Sequence, residues 1–326
     1  IGGLYFLFSI IYLIDIYDDS FKKTLTNYIS FNSSEILKQA VKIFILYSSL
    51  TILIFIILNI FSIRTFDSLN LALTIISSGG FLPVNELSTI IKENAQIIIF
   101  SLLMLLSFFS LFFSYNLIFL RNKNINFFYE DFHLLIYLVV VVTIFFLFFS
   151  FNYDFFINLF AIISSMTNIG FSLSPDQKNL NFIYLILVII GGSFFSTSSG
   201  LRFIKIYSLF KFSLNQILSF SRPKNVFMNK LIFTKINFNL DEINKYFLTI
   251  IIFILSLFIL TSLLSLSGIT FVNSFKLSIL TLMNTVNSSI YGLKEFDFYN
   301  LQLFSKYCLI FFMIVGRIEL LTILLL

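Results

Sequence analysis

The fold class predicted is an all-α integral membrane protein, built from repeated helix, re-entrant pore loop, helix units around a central pore. Three observations predict it. The 326 residues are 58% hydrophobic and only 11% charged, whereas a soluble domain has about 25% charged residues with which to cover its surface. Apolar runs follow one another in the order long, short, long, three times over. Each short run closes in a cluster of small polar residues, and the clusters align with one another, the mark of a divergent internal repeat.

A helix needs about 20 apolar residues to span the hydrocarbon, and runs of about 10 to 14 read as re-entrant or buried segments. By that ruler residues 1–14 form a partial span, and 41–63, 97–120, 132–153, 181–210, 243–267 and 303–326 form full ones. The short stretches are 67–76, 155–166 and 272–285. The chain therefore divides into the second helix of a first repeat (1–14), a cytoplasmic connector (15–40), a second repeat (41–120), a cytoplasmic loop (121–131), a third repeat with a broken helix (132–210), a longer basic loop (211–242) and a fourth repeat (243–326). Ile1 stands inside an apolar run, so the sequence reads as a fragment lacking its N-terminal part. Of the 21 Lys and Arg residues, Arg64, Lys92, Lys178, Lys276, Lys294 and Lys306 fall on the outer side of this topology and Arg317 within a span. The rest lie inside, as the positive-inside rule requires.

The clusters read Ser77, Ser78, Gly79, Gly80, Phe81, then Thr167, Asn168, Ile169, Gly170, Phe171, then Asn287, Ser288, Ser289. Placing Gly80 over Gly170 puts Asn287 with Asn168 and Ser289 at the glycine position. A short helix that stops inside a membrane must end where its backbone is satisfied. One solution is a loop whose carbonyls replace the hydration shell of a cation, as in potassium channels, with glycine allowing the close approach. The alternative is that these are ordinary helix-packing glycines; threefold repetition favours the filter.

In the span 181–210, Gly191, Gly192, Ser193, Ser196, Thr197, Ser198, Ser199 and Gly200 interrupt the apolar pattern. Such a stretch reads either as a flap across a permeation path or as a tight packing seam, since irregular backbone at this depth must be buried in protein or line water. Arg317, in the run Gly316, Arg317, Ile318, Glu319, is a cation inside a span; it reads as a pore-side charge or as the partner of an acid on another helix. Glu319, two residues on, does not share its helical face.

Other chemistries are excluded by what is lacking. A single Cys308 forms no internal disulfide, and with a lone His133 it builds no metal or redox site. The net charge of +5 is accounted for by the inner loops, so nucleic-acid binding is not expected. A membrane-embedded enzyme would need a base and nucleophile converging within the spans, and the acids lie mostly in loops.

On Gly2 and Gly3, Ile76 to Phe81, Thr167 to Phe171, Gly191 to Lys205, Arg222 to Val226 and the terminal Gly316, Arg317, Ile318, Glu319, the chain resembles the Trk/Ktr/HKT superfamily of potassium transporters, closest to the bacterial Trk-type uptake subunit. The resemblance implies four helix, pore-loop, helix repeats around one path and a homodimer in the cytoplasmic (inner) membrane. It also implies a separate cytoplasmic nucleotide-binding regulatory subunit of the RCK/KTN type, with no organic cofactor on this chain. By it, the three clusters form a selectivity filter holding potassium, residues 191–200 the gating loop, Arg317 the pore-side arginine, and Arg202 with Lys205 a cytoplasmic basic pair in exchanged order. The first repeat's pore loop is absent here, and Ser289 stands where the family has glycine. The rival readings are a permease for sodium or for monovalent cations without selectivity, and a non-conducting platform for the regulator.

Overall fold

The computed structural model describes residues 36–84, 86–119, 129–149, 154–173, 180–221, 240–293, 296 and 298–317. All the regular elements among them are helical. Helix α1 (Ile36–Ile60) is followed by the short α2 (Thr65–Ile76), then by α3 (Asn94–Phe108) and α4 (Leu111–Phe119). Helix α5 (Tyr129–Phe149) and the short α6 (Phe155–Met166) lead to α7 (Asn181–Ile189) and α8 (Phe203–Ser221). Helix α9 (Leu240–Leu266), the short α10 (Phe271–Leu282) and α11 (Leu303–Arg317) complete the order. Three times a long helix (α1, α5, α9) is followed by a short one (α2, α6, α10).

The apolar pattern explains the arrangement of faces. Val41–Ile60, Glu130–Phe148 and Ile243–Leu266 are long and apolar enough to cross a membrane, and large apolar side chains stand exposed along them, among them Phe44, Ile52, Ile56, Leu255, Phe258 and Ile259. Helices apolar all round are those of a membrane protein, and the exposed belt is the surface that lipid covers. Small polar residues lie inside instead: Ser68, Ser101, Ser107, Ser164, Ser274 and Ser278 are all buried. In lipid there is no hydrophobic drive between helices, so small side chains that permit close packing take the interior.

Each short helix is wedged among other helices, α6 and α10 also against the preceding repeat. Helix α2 packs on α1 and α3, α6 on α3 and α7, and α10 on α9, α11 and α7. All three are 12 residues long. Each starts after a residue with extended ψ, at Arg64, Asp154 and Thr270, and each buries a polar residue one turn in: Ser68, Asn158 and Ser274.

Two of the expected full spans are not continuous helices. The run 97–120 breaks between α3 and α4, because Ser110 turns its backbone N–H and hydroxyl to the Asp131 carboxylate. The run 181–210 breaks where its small residues predict, between Ile189 and Phe203. Helix α8 also continues to Ser221, well into the stretch read as a cytoplasmic loop from 211. Segment 1–35, the Arg222 to Val226 motif and Glu319 lie outside the described residues.

Helix α11 is seated on the end of α10 through Gly316, where an added Cβ would run into the carbonyl of Leu282. Gly316→Val is expected to push the two helices apart at a cost of about 1 to 3 kcal/mol, typical of overpacking. A lowered Tm of the detergent-solubilised protein is the check.

Candidate ion path: three loops and a flap

The three short helices end in the same way, atom for atom. Residues Ser77, Thr167 and Met283 are the last with helical backbone, and Ser78, Asn168 and Asn284 follow with φ of 50°, 58° and 49°. The N–H of Ser78, Asn168 and Asn284 donates to the carbonyl of Ile75, Ser165 and Thr281, and the N–H of the next residue reaches that of Thr74, Ser164 and Leu280. This is a left-handed helix stop of the Schellman type, which satisfies carbonyls that would otherwise be bare in the membrane. Asn tolerates the left-handed conformation best among non-glycine residues.

That geometry corrects the alignment of the third cluster. Ser78, Asn168 and Asn284 are equivalent, so Gly80 and Gly170 correspond to Val286, and Ser289 lies three residues beyond the glycine position. The misplacement arose from matching Asn168 to Asn287, whereas Asn284 is its counterpart. Gly80 and Gly170 have φ of 70° and 82°, and Val286 is not among the left-handed residues. A β-branched residue there takes another backbone course, so the third loop differs from the other two.

The loops meet at one centre. A Cβ on Gly80 would strike the carbonyl oxygen of Ile169 and the Val286 side chain, and one on Gly170 would strike the carbonyl oxygen of Val286. Above them opens a funnel of about 360 Å³, lined by Gly80, Gly170, Phe171, Val286, Asn287, Ser288 and Ser289, with Glu86 at its wall. Asn287, Ser288 and Ser289 therefore share the site despite their shifted register. Ser289 Oγ donates to Ser172 Oγ at 2.8 Å and ties the third loop to the second.

Not every residue of the clusters faces this centre. The Ser77 and Thr167 hydroxyls donate back to their own helices, to Leu73 O at 2.8 Å and Ile163 O at 2.9 Å. Phe81 is exposed, whereas its counterpart Phe171 is buried against Phe100, ring centroids 5.7 Å apart. Asn168 is fully buried; its Nδ2 donates to Val188 O at 2.7 Å and to Thr285 Oγ1 at 3.3 Å. Its Oδ1 is left without a protein partner.

Two bracing residues escape a reading of the clusters alone. Thr74 Oγ1 accepts the N–H of Phe81 at 3.0 Å, and Ser164 Oγ donates to the carbonyl of Phe171 at 2.9 Å. They occupy the same position of their helices, four residues before the left-handed stop. The third helix has Leu280 there and no hydroxyl to offer.

Directly against the loops lies the broken segment between α7 and α8. Ser78 Oγ approaches Thr197 Oγ1 at 3.5 Å. Its two ends are held as a narrow neck: the N–H of Gly191 donates to Leu201 O at 2.9 Å, and that of Leu201 to Ile189 O at 3.0 Å. Gly191 and Gly200 face each other so closely that a Cβ on Gly191 would collide with the Ser199 carbonyl oxygen. Gly192 is equally tight, its missing Cβ pointing at the carbonyl of Phe108. Inside the turn Ser196 Oγ contacts Ser198 Oγ at 2.9 Å, which in turn receives the N–H of Gly192. Ser193 through Ser199 are buried.

Arg202 belongs to this flap and not to a cytoplasmic surface. It is buried, and its Nη1 donates to the carbonyls of Ser193 and Ser198, each at 3.1 Å, and to Ser196 Oγ at 3.2 Å. A guanidinium offers several donors in a fixed fork, and here they knit together carbonyls that no helix satisfies. Lys205, also buried, borders a small cavity of about 30 Å³ on the far side of the flap, between Gly200, Met283 and Gly316. The basic pair expected at these positions is thus buried in both members. Arg317 is the last residue of α11, and the placement of its side chain lies outside the described residues.

The fold and site can be set beside known proteins. No protein-family model matches the chain. An uncharacterized cation transporter of Methanocaldococcus jannaschii is 25% identical over 227 residues, covering 68% of this chain and 46% of that protein. The chain thus spans under half the length of that relative. A crystal structure of the potassium transporter TrkH from Vibrio parahaemolyticus superposes with a TM-score of 0.77 at 19% identity, over 99% of this chain and 69% of that one.

The chain has the TrkH fold. The expected architecture of helix, re-entrant loop, helix repeats is the one found, and the protein is a membrane protein of a transporter fold. Neither TrkH nor the archaeal relative is described as an enzyme.

At the first loop, Thr74→Val removes the acceptor that holds the Phe81 amide. Faster hydrogen exchange at segment 78–82 is expected, with a stability loss of about 1 kcal/mol. Exchange mass spectrometry checks it, with segment 168–172 unchanged as the internal control.

Proposed function

We propose that the chain is the membrane subunit of a potassium uptake permease, passing the ion down its electrochemical gradient through the three loops. The observation that carries the reading is the convergence of three identically terminated short helices on one centre, where Gly80 and Gly170 admit no side chain. Short helices directing their C-terminal ends at a point concentrate the negative ends of their dipoles there. Loop carbonyls then offset the loss of the ion's water. A membrane potential contributes about 2.3 kcal/mol per elementary charge per 100 mV, so inward movement needs no chemical step on this chain.

Residues 77–81, 167–171 and 286–289 would supply the filter, completed by a loop from outside this sequence. The flap 191–200 would be the gate, since it lies against Ser78 and lines no part of the funnel. The two similar proteins, one a cation transporter and one a potassium transporter, support cation transport. A homodimer in the inner membrane and a cytoplasmic nucleotide-binding regulator belong to the same proposal.

Val286 at the third glycine position favours a second reading, a permease that admits sodium as well. The two are separated by flux in proteoliposomes containing the full-length protein: potassium uptake exceeding sodium uptake supports the first, and equal uptake the second.

The full-length gene is expected to rescue growth at limiting potassium in a bacterium stripped of its own uptake systems. Gly170→Asp, which forces a side chain into the Val286 backbone, is expected to abolish rescue while still reaching the membrane. Failure of the intact protein to rescue, with its regulator supplied, would overturn the potassium reading.

A further inference from the structure

Helix α5 opens with two adjacent acids, Glu130 and Asp131, 5% and 0% exposed. The ion path as described uses neither. Burying two carboxylates side by side is costly unless each is held by donors, and the donors here come from unexpected places. Glu130 Oε1 accepts the backbone N–H of Phe194, within the flap, at 2.8 Å. Asp131 Oδ1 and Oδ2 accept the N–H and hydroxyl of Ser110 at 2.8 and 2.6 Å, at the break between α3 and α4.

That break is itself bound to the flap. With no helix to complete, Phe108 O accepts the N–H of Ser193 at 3.1 Å and Ser107 O that of Ser198 at 3.3 Å; the N–H of Leu111 donates to Phe195 O at 3.0 Å. Thr197 Oγ1 also reaches Ser107 O at 3.4 Å. The flap is thus hung by its backbone from a helix end opened by Asp131, and held directly by Glu130.

We infer that Glu130 and Asp131 are positioning residues that latch the flap closed, Glu130 by gripping its backbone and Asp131 by holding open the helix break on which it hangs. The inference rests on the reading of 191–200 as the gate. Opening the path then requires the flap to leave Glu130 and the α3 end together, and a weaker latch shifts the population toward the open form. A purely structural role predicts the opposite outcome, lost flux.

The test uses the full-length protein in proteoliposomes with Cys308→Ser and Thr197→Cys, the latter reporting flap exposure to a membrane-impermeant thiol reagent. Glu130→Leu and Asp131→Leu, which leave no acceptor for Phe194 or Ser110, are each expected to raise both the labelling rate and the basal cation flux several-fold. A correctly inserted Glu130→Leu protein with both readouts unchanged or lowered overturns the latch. The labelling rate does not depend on which ion passes, so higher labelling with no flux of potassium or sodium in any variant would count against the permease reading and not against the latch. Should either acid variant fail to insert, Ser107→Cys with Ser198→Cys, in the Cys308→Ser background alone, keeps both acids. Its oxidation is expected to block flux, with recovery on reduction, and a formed disulfide that leaves flux intact overturns the inference.

Discussion

Three helices that stop halfway through a membrane leave carbonyl groups that neither water nor lipid can satisfy, and bare backbone in hydrocarbon costs several kcal/mol per group. The left-handed stops at Ser78, Asn168 and Asn284 answer that constraint from within, by folding each chain end back on its own helix. Their consequence is geometric. Once the chain has turned at these residues, the following segment can only run toward the centre of the bundle, and the three segments meet there. The funnel and the crowding at Gly80 and Gly170 follow from the stops.

The same accounting governs the flap. Between Ile189 and Phe203 the chain gives up its helical hydrogen bonds deep inside the protein, and every replacement is a specific group: the opposing strand of its neck, the hydroxyls of Ser196 and Ser198, the Arg202 guanidinium, the Glu130 carboxylate and the opened end of α3. Two broken helices satisfy each other. This explains why α3 and α4 are not one span, although nothing in the apolar content of 97–120 interrupts it strongly. Phe194 and Phe195 add apolar packing to these polar contacts, Phe195 against Phe112 with ring centroids 5.1 Å apart, so release of the flap must break both together.

The two funnel loops with hydroxyl braces, at Thr74 and Ser164, differ from the loop that follows Leu280. The third loop relies instead on Asn287 Nδ2 donating to Leu293 O and on Ser289 reaching across to Ser172. With Val286 at its tip, it is the most divergent of the three.

Composition and run length alone determined that this is a membrane protein of long and short helices in threefold repetition, because the hydrocarbon thickness sets those lengths directly. They also located Gly80, Gly170 and the broken stretch 191–200, since glycine and serine clusters contradict an apolar span wherever they occur. The register of the third loop was not legible: side-chain identity suggested Asn287, and only the position of the left-handed stop shows Asn284 to be the equivalent. Nor were Glu130 and Asp131 legible as more than the polar edge of a loop, or Arg202 as more than one of a basic pair. Their partners are backbone groups from distant segments, 64 residues away for Glu130 and 21 for Asp131. A backbone donor carries no mark in a sequence, so only the tertiary structure could decide which buried charges it satisfies.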